Sequence, residues 1–123
     1  MRIGLMVEGQ ANLTWERWIH ILQTAERLNL DSVFRSDHFV IGAPKSALDA
    51  YLTFAIAARE TSNIRFGPLV PPITFRSPQD VARMSAQINQ LSNGRFLLGL
   101  GTGWHEPEHT QFGLPFPPLG ERF

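Results

Sequence analysis

The sequence predicts an α/β fold of the (β/α)8 TIM-barrel type, of which about four βα units are present. A short apolar run followed by an amphipathic stretch recurs with a period of about thirty residues. Alternating strands and helices imply parallel strands with right-handed crossovers, which an open doubly wound sheet also satisfies. A complete barrel takes about 250 residues, and this chain has 123. Since residues 120–123 carry no cap or turn signal, we expect residues 1–123 to be the truncated N-terminal half of one barrel domain.

The first two units follow this pattern in detail. The first strand is predicted at Ile3–Val7 and the second at Ser32–Arg35. Thr14 is the expected N-cap of the first helix, and Ser46 with Asp49 forms a capping-box pattern before the second. The predicted apolar helix faces are Trp15, Trp18, Leu22 and Ala25 in the first helix, and Tyr51, Leu52, Ala55 and Ala58 in the second.

The third strand is predicted at Ile64–Val70, where two prolines close it, and the fourth at Arg95–Leu100. Between them lies a helix with Ser77 as N-cap, Pro78 in its first turn and Asp80 completing a capping box. Its expected apolar face consists of Val81, Met84, Ser85, Ile88 and Leu91.

The composition excludes several classes of function. Basic and acidic residues number 11 each, so no excess charge points to nucleic acid or to an anionic membrane surface. The absence of cysteine excludes disulfides, thiolate metal sites and thiol catalysis. No apolar run approaches the length of a membrane helix or a signal peptide. We therefore expect a cytoplasmic protein whose partner is a small-molecule substrate.

In either α/β architecture the ligand site lies at the carboxyl ends of the strands. Asp37 and His38 follow the second strand directly. A histidine there can titrate near neutrality and pass a proton to a substrate or cofactor edge, which makes His38 the candidate catalytic residue. Asp37 could fix the tautomer of that ring or accept a hydrogen bond from a cofactor. The alternative is that the pair only caps its loop through local hydrogen bonds.

The segment Leu69-Val70-Pro71-Pro72 is a second candidate, because prolines after an apolar strand stiffen a ledge on which a flat ring could lie. A simple strand terminator is the competing interpretation. At the end of the fourth strand, Gly101-Thr102-Gly103 permits close approach of backbone to a ligand, and Trp104 could wall a ring-shaped one. A dinucleotide fingerprint is rejected because Glu106 stands where its third glycine belongs.

The segment from His105 to His109 matches the zinc-peptidase pattern H-E-x-x-H letter for letter. That pattern needs both histidines on one helix face, with Glu106 as general base. Pro107 lies inside it, however, so the helix is expected to begin near Glu106 and to leave His105 at its cap. We keep a zinc hydrolase only as a remote alternative and predict no metal site.

Several segments together resemble the luciferase-like monooxygenases, and most closely the subgroup that depends on the deazaflavin coenzyme F420. The resemblance spans essentially the whole chain in the family's order. It is carried by residues 1–8, Ser36-Asp37-His38-Phe39, Arg76-Ser77-Pro78, residues 91–95, Gly99 to His105, and residues 113–123.

The resemblance implies a (β/α)8 barrel, usually a homodimer, that transfers a hydride between F420 and an organic substrate. It implies that Asp37 contacts the deazaflavin and that His38 donates a proton or stabilises the anionic ring. Leu69-Val70, often joined by a non-proline cis peptide in this family, would support the ring face beside Pro71, and the 101–103 turn would bring backbone near it. In the sugar-phosphate dehydrogenases of the family a glutamate follows this turn, whereas Trp104 stands here.

Two other functions remain open. An FMN-dependent monooxygenase of the same superfamily would activate oxygen, and a non-catalytic half barrel would only associate through its open sheet edges. Because the phosphate-binding loops of a barrel commonly follow strands seven and eight, we also expect the isolated chain to bind cofactor poorly unless it pairs with a second half.

Overall fold

The computed structural model describes residues 1–42 and 47–123. It contains three strands: β1 (Gly4–Val7), β2 (Ser32–Arg35) and β3 (Arg65–Pro68). Its helices are α1 (Trp15–Arg27), α2 (Ala50–Glu60), α3 (Pro78–Leu91), α4 (Glu106–Phe112) and α5 (Leu119–Arg122). The strands form one parallel sheet in the order β1-β2-β3, which confirms the predicted topology for these units.

The helix starts are set by the predicted caps. The side chains of Thr14 and Ser77 accept the backbone N–H of the residue three positions on, and Pro78 occupies the first turn of α3. At α2 the cap is Asp49, whose carboxylate accepts the N–H of Leu52. The predicted contribution of Ser46 to that cap lies outside the described residues.

The hydrophobic core lies between the helices and one face of the sheet. The indole N–H of Trp18 donates to the carbonyl of Thr53 at 2.8 Å and ties α1 to α2. Phe54, Phe66 and Phe96 pack with ring centroids 5.6–6.3 Å apart, joining α2 to β3 and to the segment after α3. On the opposite face of the sheet the side chains of Leu5 and Leu97 are exposed.

Some predicted helix-face residues lie outside the core. Trp15, Leu52 and Leu91 are exposed. Trp15 is the first residue of α1 and Leu91 the last of α3, so both lie where the helix leaves the packed layer. Leu52 lies in the first turn of α2. Spacing along a helix therefore identified the central core residues but not where burial stops.

The predicted fourth strand, Arg95–Leu100, does not form a regular ladder in the described residues. The segment runs parallel to β3 but pairs with it through one isolated bridge, Phe66 with Phe96. The next hydrogen bond of a parallel ladder would come from the backbone nitrogen of residue 68, which is a proline and has no N–H. A second bridge forms beyond the gap, between Pro72 and Gly101. The prediction of a parallel segment at this position is therefore confirmed, whereas the prediction of a regular strand is wrong.

No helix in residues 1–42 and 47–123 is long and apolar enough to cross a membrane.

Candidate active site

A cavity of about 660 Å³ opens at the carboxyl ends of the strands. This volume falls within the range of small-molecule sites in proteins. Most of the predicted site residues line it: His38, Leu69, Val70, Gly101, Thr102, Gly103 and Trp104. The cavity therefore brings together three segments that are far apart in the sequence.

One wall of the cavity is an apolar ledge formed by Leu69 and Val70, whose side chains are 50% and 39% exposed. The peptide bond between them is cis, which agrees with the expectation from the family resemblance. Val70 packs directly against the glycine-rich segment. A Cβ atom at Gly101 would lie 2.5 Å from Val70 Cγ2, and one at Gly99 would lie 2.7 Å from Val70 Cγ1. Glycine at these positions lets the ledge and the loop meet without a gap.

His38 also lines the cavity. Its Nδ1 atom lies 2.9 Å from the carboxylate Oε2 of Glu108. Its Nε2 atom has no hydrogen-bond partner among the described residues. The indole of Trp104, which is 69% exposed, packs edge-on against the imidazole at a centroid distance of 5.9 Å. His38 is thus held at one nitrogen and open at the other.

Asp37 turns away from the cavity and is 2% exposed. Both of its oxygens accept hydrogen bonds from the guanidinium of Arg76, which also donates to Asp49 at 3.0 Å. Burial raises the pKa of the Asp37 carboxyl, although the charge of Arg76 acts against this. Burial alone would lower the pKa of Arg76, but the two carboxylates raise it above its ordinary value, so this guanidinium stays charged. Asp37 is therefore committed to an internal ion pair and does not line the cavity.

Pro71, also predicted to touch the cofactor, is buried behind the ledge. Its carbonyl accepts the N–H of Gly101 at 3.1 Å, and the carbonyl of Gly101 accepts the N–H of Ile73 at 2.8 Å. These bonds fasten the glycine-rich loop to the end of the third strand. Pro71 supports the site instead of lining it.

A chain of polar side chains at the ends of β1 and β2 was not assigned a role by sequence reasoning. The hydroxyl of Ser36 accepts the N–H of Gly9 at 3.2 Å and donates to Oε1 of Gln10 at 2.7 Å. Gln10 in turn donates to Glu8 at 2.7 Å. These side chains give the cavity a polar edge, and their position directly after the strands was the signal available in the sequence.

Arg122 is another residue that sequence reasoning missed. Its guanidinium donates to the carbonyls of Thr102 and Gly103 at 3.3 and 2.8 Å and lies 3.8 Å from the ring centroid of Phe116. The last helix therefore braces the glycine-rich loop from behind. Nothing in local spacing links residue 122 to residue 102, because the contact forms only in the folded chain.

The residues of the zinc-peptidase pattern are not arranged as a metal site in this structure. The helix α4 begins at Glu106 with His105 at its N-cap, as Pro107 led us to expect. His109 is fully buried, and its two ring nitrogens contact Thr74 Oγ1 at 2.6 Å and the carbonyl of His105 at 2.9 Å. Glu106 is exposed. Within the described residues no three acidic or histidine side chains could hold a metal ion together.

Glu108, the fourth residue of the same segment, is the acidic side chain that the structure brings to the site. It is 1% exposed and accepts hydrogen bonds from the backbone of Phe39 and Val40 as well as facing His38. The zinc pattern directed attention to its neighbours, so its role could not be read from the motif.

The sequence is similar to those of known flavin- and deazaflavin-dependent enzymes. The sequence is 36% identical over 105 residues to the F420-dependent glucose-6-phosphate dehydrogenase of Amycolatopsis mediterranei, covering 80% of this chain and 31% of that protein. It is 42% identical over 67 residues to the pyrimidine monooxygenase RutA of Methylorubrum populi, covering 54% of this chain and 18% of the relative. The chain thus spans about a third or less of the length of these relatives.

The fold is also found in solved structures. An F420-dependent secondary alcohol dehydrogenase, solved with an F420-acetone adduct, superposes with a TM-score of 0.85 at 22% identity, over 98% of this chain and 37% of that one. At this identity the likeness shows the fold alone, which is that of part of a TIM-barrel enzyme. The sequence model of the luciferase-like monooxygenases matches residues 1–123. The chain belongs to the luciferase-like monooxygenase family.

Proposed function

We propose that this chain forms the N-terminal part of the cofactor site of an oxidoreductase that uses the deazaflavin F420. The observation that carries the proposal is the cavity itself, which is lined both by an apolar ledge and by His38. A flat, partly polar ring needs this combination, because its faces seek apolar contact and its edges seek hydrogen bonds. The 36% identity to an F420-dependent dehydrogenase over most of the chain supports the deazaflavin.

The residues present fit such a ring. Leu69 and Val70 would lie against one face, since both are exposed toward the cavity and no described side chain covers them. The backbone of residues 101–103 would approach its edge, and Trp104 would close the mouth. Asp37 and Pro71 do not line the cavity and would support its walls without touching the ring. When bound, F420 supplies hydride transfer to or from an organic substrate.

The chain would contribute to the chemistry by exchanging a proton at His38. The Nε2 atom of this ring is open toward the cavity, where a substrate oxygen or a cofactor edge could exchange a proton with it. The apolar ledge and the exposed indole of Trp104 would exclude water from that position once a ligand fills the cavity. Oxygen groups that gain or lose a proton as hydride moves are therefore the substrates that this site suits.

A sugar phosphate is not the substrate that we propose. Trp104 occupies the position after the glycine-rich turn at which the sugar-phosphate dehydrogenases of the family carry a glutamate. Glu106 is exposed, and Glu108 is buried with its oxygens occupied. Neither carboxylate lines the cavity, so neither replaces that glutamate.

An FMN-dependent monooxygenase is the second candidate, because the chain is 42% identical to a pyrimidine monooxygenase over 67 residues. A half barrel that binds no cofactor is the third. The exposed apolar side chains of Leu5 and Leu97, on the face of the described sheet opposite the helices, support the expectation that the chain pairs with a second half, as a homodimer or with another chain.

A fluorescence titration with F420 and with FMN, run alongside a measurement of molecular size, tests these proposals. We expect weak but saturable binding that prefers F420, with Trp104→Ala weakening it several-fold. Trp15→Ala is the matched control, because Trp15 is an exposed tryptophan on α1 that does not line the cavity. A preference for FMN with oxygen consumption would replace the deazaflavin by the monooxygenase. Failure of both ligands to bind a dimeric chain would overturn the proposal in favour of a non-catalytic module.

A further inference from the structure

Glu108 has an unusual set of contacts for a residue outside the cavity. Its carboxylate is buried beneath the loop that follows β2, and Oε1 accepts the backbone N–H groups of Phe39 and Val40. The other oxygen, Oε2, lies 2.9 Å from Nδ1 of His38. The same side chain thus holds both the backbone after His38 and the ring of His38.

The chemistry of these partners defines which nitrogen of His38 carries hydrogen. Backbone N–H groups can only donate, so Oε1 must accept. A carboxylate that is ionised has no hydrogen to offer, and Oε2 is then an acceptor as well. The hydrogen in the short contact between Oε2 and the imidazole must therefore belong to Nδ1. Neutral imidazole has one N–H, so Nε2 is left with a free lone pair directed away from Glu108.

A second histidine is close to the same oxygen. Nδ1 of His105 lies 3.6 Å from Oε2 of Glu108 and has no hydrogen-bond partner in the described residues. This distance is too long for a hydrogen bond, so His38 is the imidazole that the carboxylate holds. His105 nevertheless gives a useful comparison, because it lies near Glu108 without being oriented by it.

We propose that Glu108 is a positioning residue, which fixes His38 in the tautomer with hydrogen on Nδ1 and so presents Nε2 to the cavity as the atom that exchanges protons. The use of Nε2 by a substrate rests on the proposed function, whereas the tautomer is a property of the chain alone. A side chain that only filled space or capped the loop would not select between the two ring nitrogens.

The tautomer can be measured in the chain without any ligand. In protein labelled with ¹⁵N, long-range correlations between ring protons and ring nitrogens distinguish a protonated from an unprotonated nitrogen. The spectra are recorded at a pH well above the ordinary titration range of histidine, so that the ring is neutral. The signals of His38 are identified by their loss in His38→Gln. We expect Nδ1 to carry the hydrogen in the wild-type chain.

Glu108→Gln is the informative variant, because the amide keeps an oxygen for the two backbone N–H groups and replaces the other oxygen by an NH₂ group. That NH₂ can only donate, so Nδ1 of His38 must become the acceptor and the hydrogen must move to Nε2. The expected result is an exchange of the shifts of the two ring nitrogens. Glu106→Gln, on the same helix but exposed, is the matched control and should leave them unchanged.

Two results would overturn the proposal. One is a wild-type His38 with its hydrogen on Nε2, which needs no variant and holds even if Glu108→Gln fails to fold. The other is a folded Glu108→Gln chain in which Nδ1 keeps its hydrogen. Loss of F420 binding with the expected tautomers would instead contradict only the proposed function, so the two failures are distinguishable.

Discussion

Asp37 and His38 follow the same strand, and their side chains leave the extended backbone on opposite sides. The buried carboxylate of Asp37 pairs with Arg76, which also binds the exposed Asp49, and we call these three residues the Asp37 cluster. His38 joins Glu108 beside the cavity, and these two residues form the His38 cluster. Both clusters contain a buried carboxylate and a nitrogen-bearing partner, but they differ in what remains open.

In the Asp37 cluster the polar atoms face one another: two carboxylates surround one guanidinium that stays charged. In the His38 cluster one ring nitrogen has no partner among the described residues, and it belongs to a residue that lines the cavity. A position at the carboxyl end of a strand is therefore not enough to bring a side chain into the cavity. The side chain must also keep an unused donor or acceptor on the side of the ligand.

The largest expected effect separates the clusters by stability. Asp37→Ala leaves the guanidinium of Arg76 buried with one carboxylate fewer, and removing one partner of a buried ion pair costs about 3 kcal/mol of unfolding free energy. His38→Ala removes one hydrogen bond from Glu108, whose two backbone partners remain, and should cost about 1 kcal/mol. Urea unfolding of both variants measures the difference. Equal losses of unfolding free energy would show that the two clusters contribute equally to stability.

Asp37→Ala is a poor probe of cofactor binding. Because Asp37→Ala is expected to destabilise the chain, weaker binding by that variant would not show that Asp37 touches the cofactor. Variants of cavity residues with smaller effects on stability, such as Trp104→Ala, report on binding directly.

A smaller effect is expected at Arg122, which is a cation like Arg76 but binds carbonyl groups instead of carboxylates. Arg122→Ala removes a charge without leaving an opposite charge unpaired, so we expect a loss of about 1 kcal/mol. The freed loop of residues 101–103 should exchange its amide hydrogens faster, which hydrogen-exchange NMR measures. Arg83→Ala is the control, since Arg83 is exposed with its nearest carboxylate 4.0 Å away. Unchanged exchange in Arg122→Ala would show that the loop does not depend on this brace.

Local rules explain most of what could be predicted from the sequence. Thr14, Ser77 and Pro78 act over three or four residues, and the apolar spacing in α1 gave Trp18, Leu22 and Ala25 as core residues, which are all buried. The strand ends also located the cavity, since Leu69 and the 101–103 loop line it together. These features depend on chain periodicity and on the geometry of parallel sheets, both of which the sequence carries locally.

The partners of polar side chains could not be predicted in the same way. The sequence places Asp37 beside His38 but does not show that Arg76, 39 residues later, takes its carboxylate. Glu108 lies 70 residues from His38 and stood inside a motif that suggested metal binding. Such pairs depend on which loops meet after folding. The family resemblance pointed to segments that line the cavity, but it also implied a cofactor contact for Asp37, which does not line it.

The smallest expected effect concerns Glu26, which resembles Glu108 in accepting backbone N–H groups but lies at the other end of the sheet. Its Oε1 accepts from Ser62, Asn63 and Ile64 at 2.8, 2.6 and 3.2 Å, just before β3. Burial alone would raise the pKa of this carboxyl, but these hydrogen bonds and the charge of Arg95 lower it. A group with a lowered pKa in the folded chain stabilises the fold above its unfolded value, which is about 4.3 for glutamate.

That stabilisation is lost as the pH falls below this value and through the pKa of the folded chain. Glu26→Gln should therefore cost about 0.5–1 kcal/mol near neutral pH, a small amount because the site is half exposed, and the cost should vanish in acid. Urea unfolding of the variant and the wild type, once near neutral pH and once in acid, checks this. Glu60→Gln, at the end of α2, is the control because its carboxylate accepts no backbone N–H among the described residues. A cost that persisted in acid would mean that Glu26 stabilises the turn by its shape, whereas a cost confined to neutral pH would assign the effect to its charge.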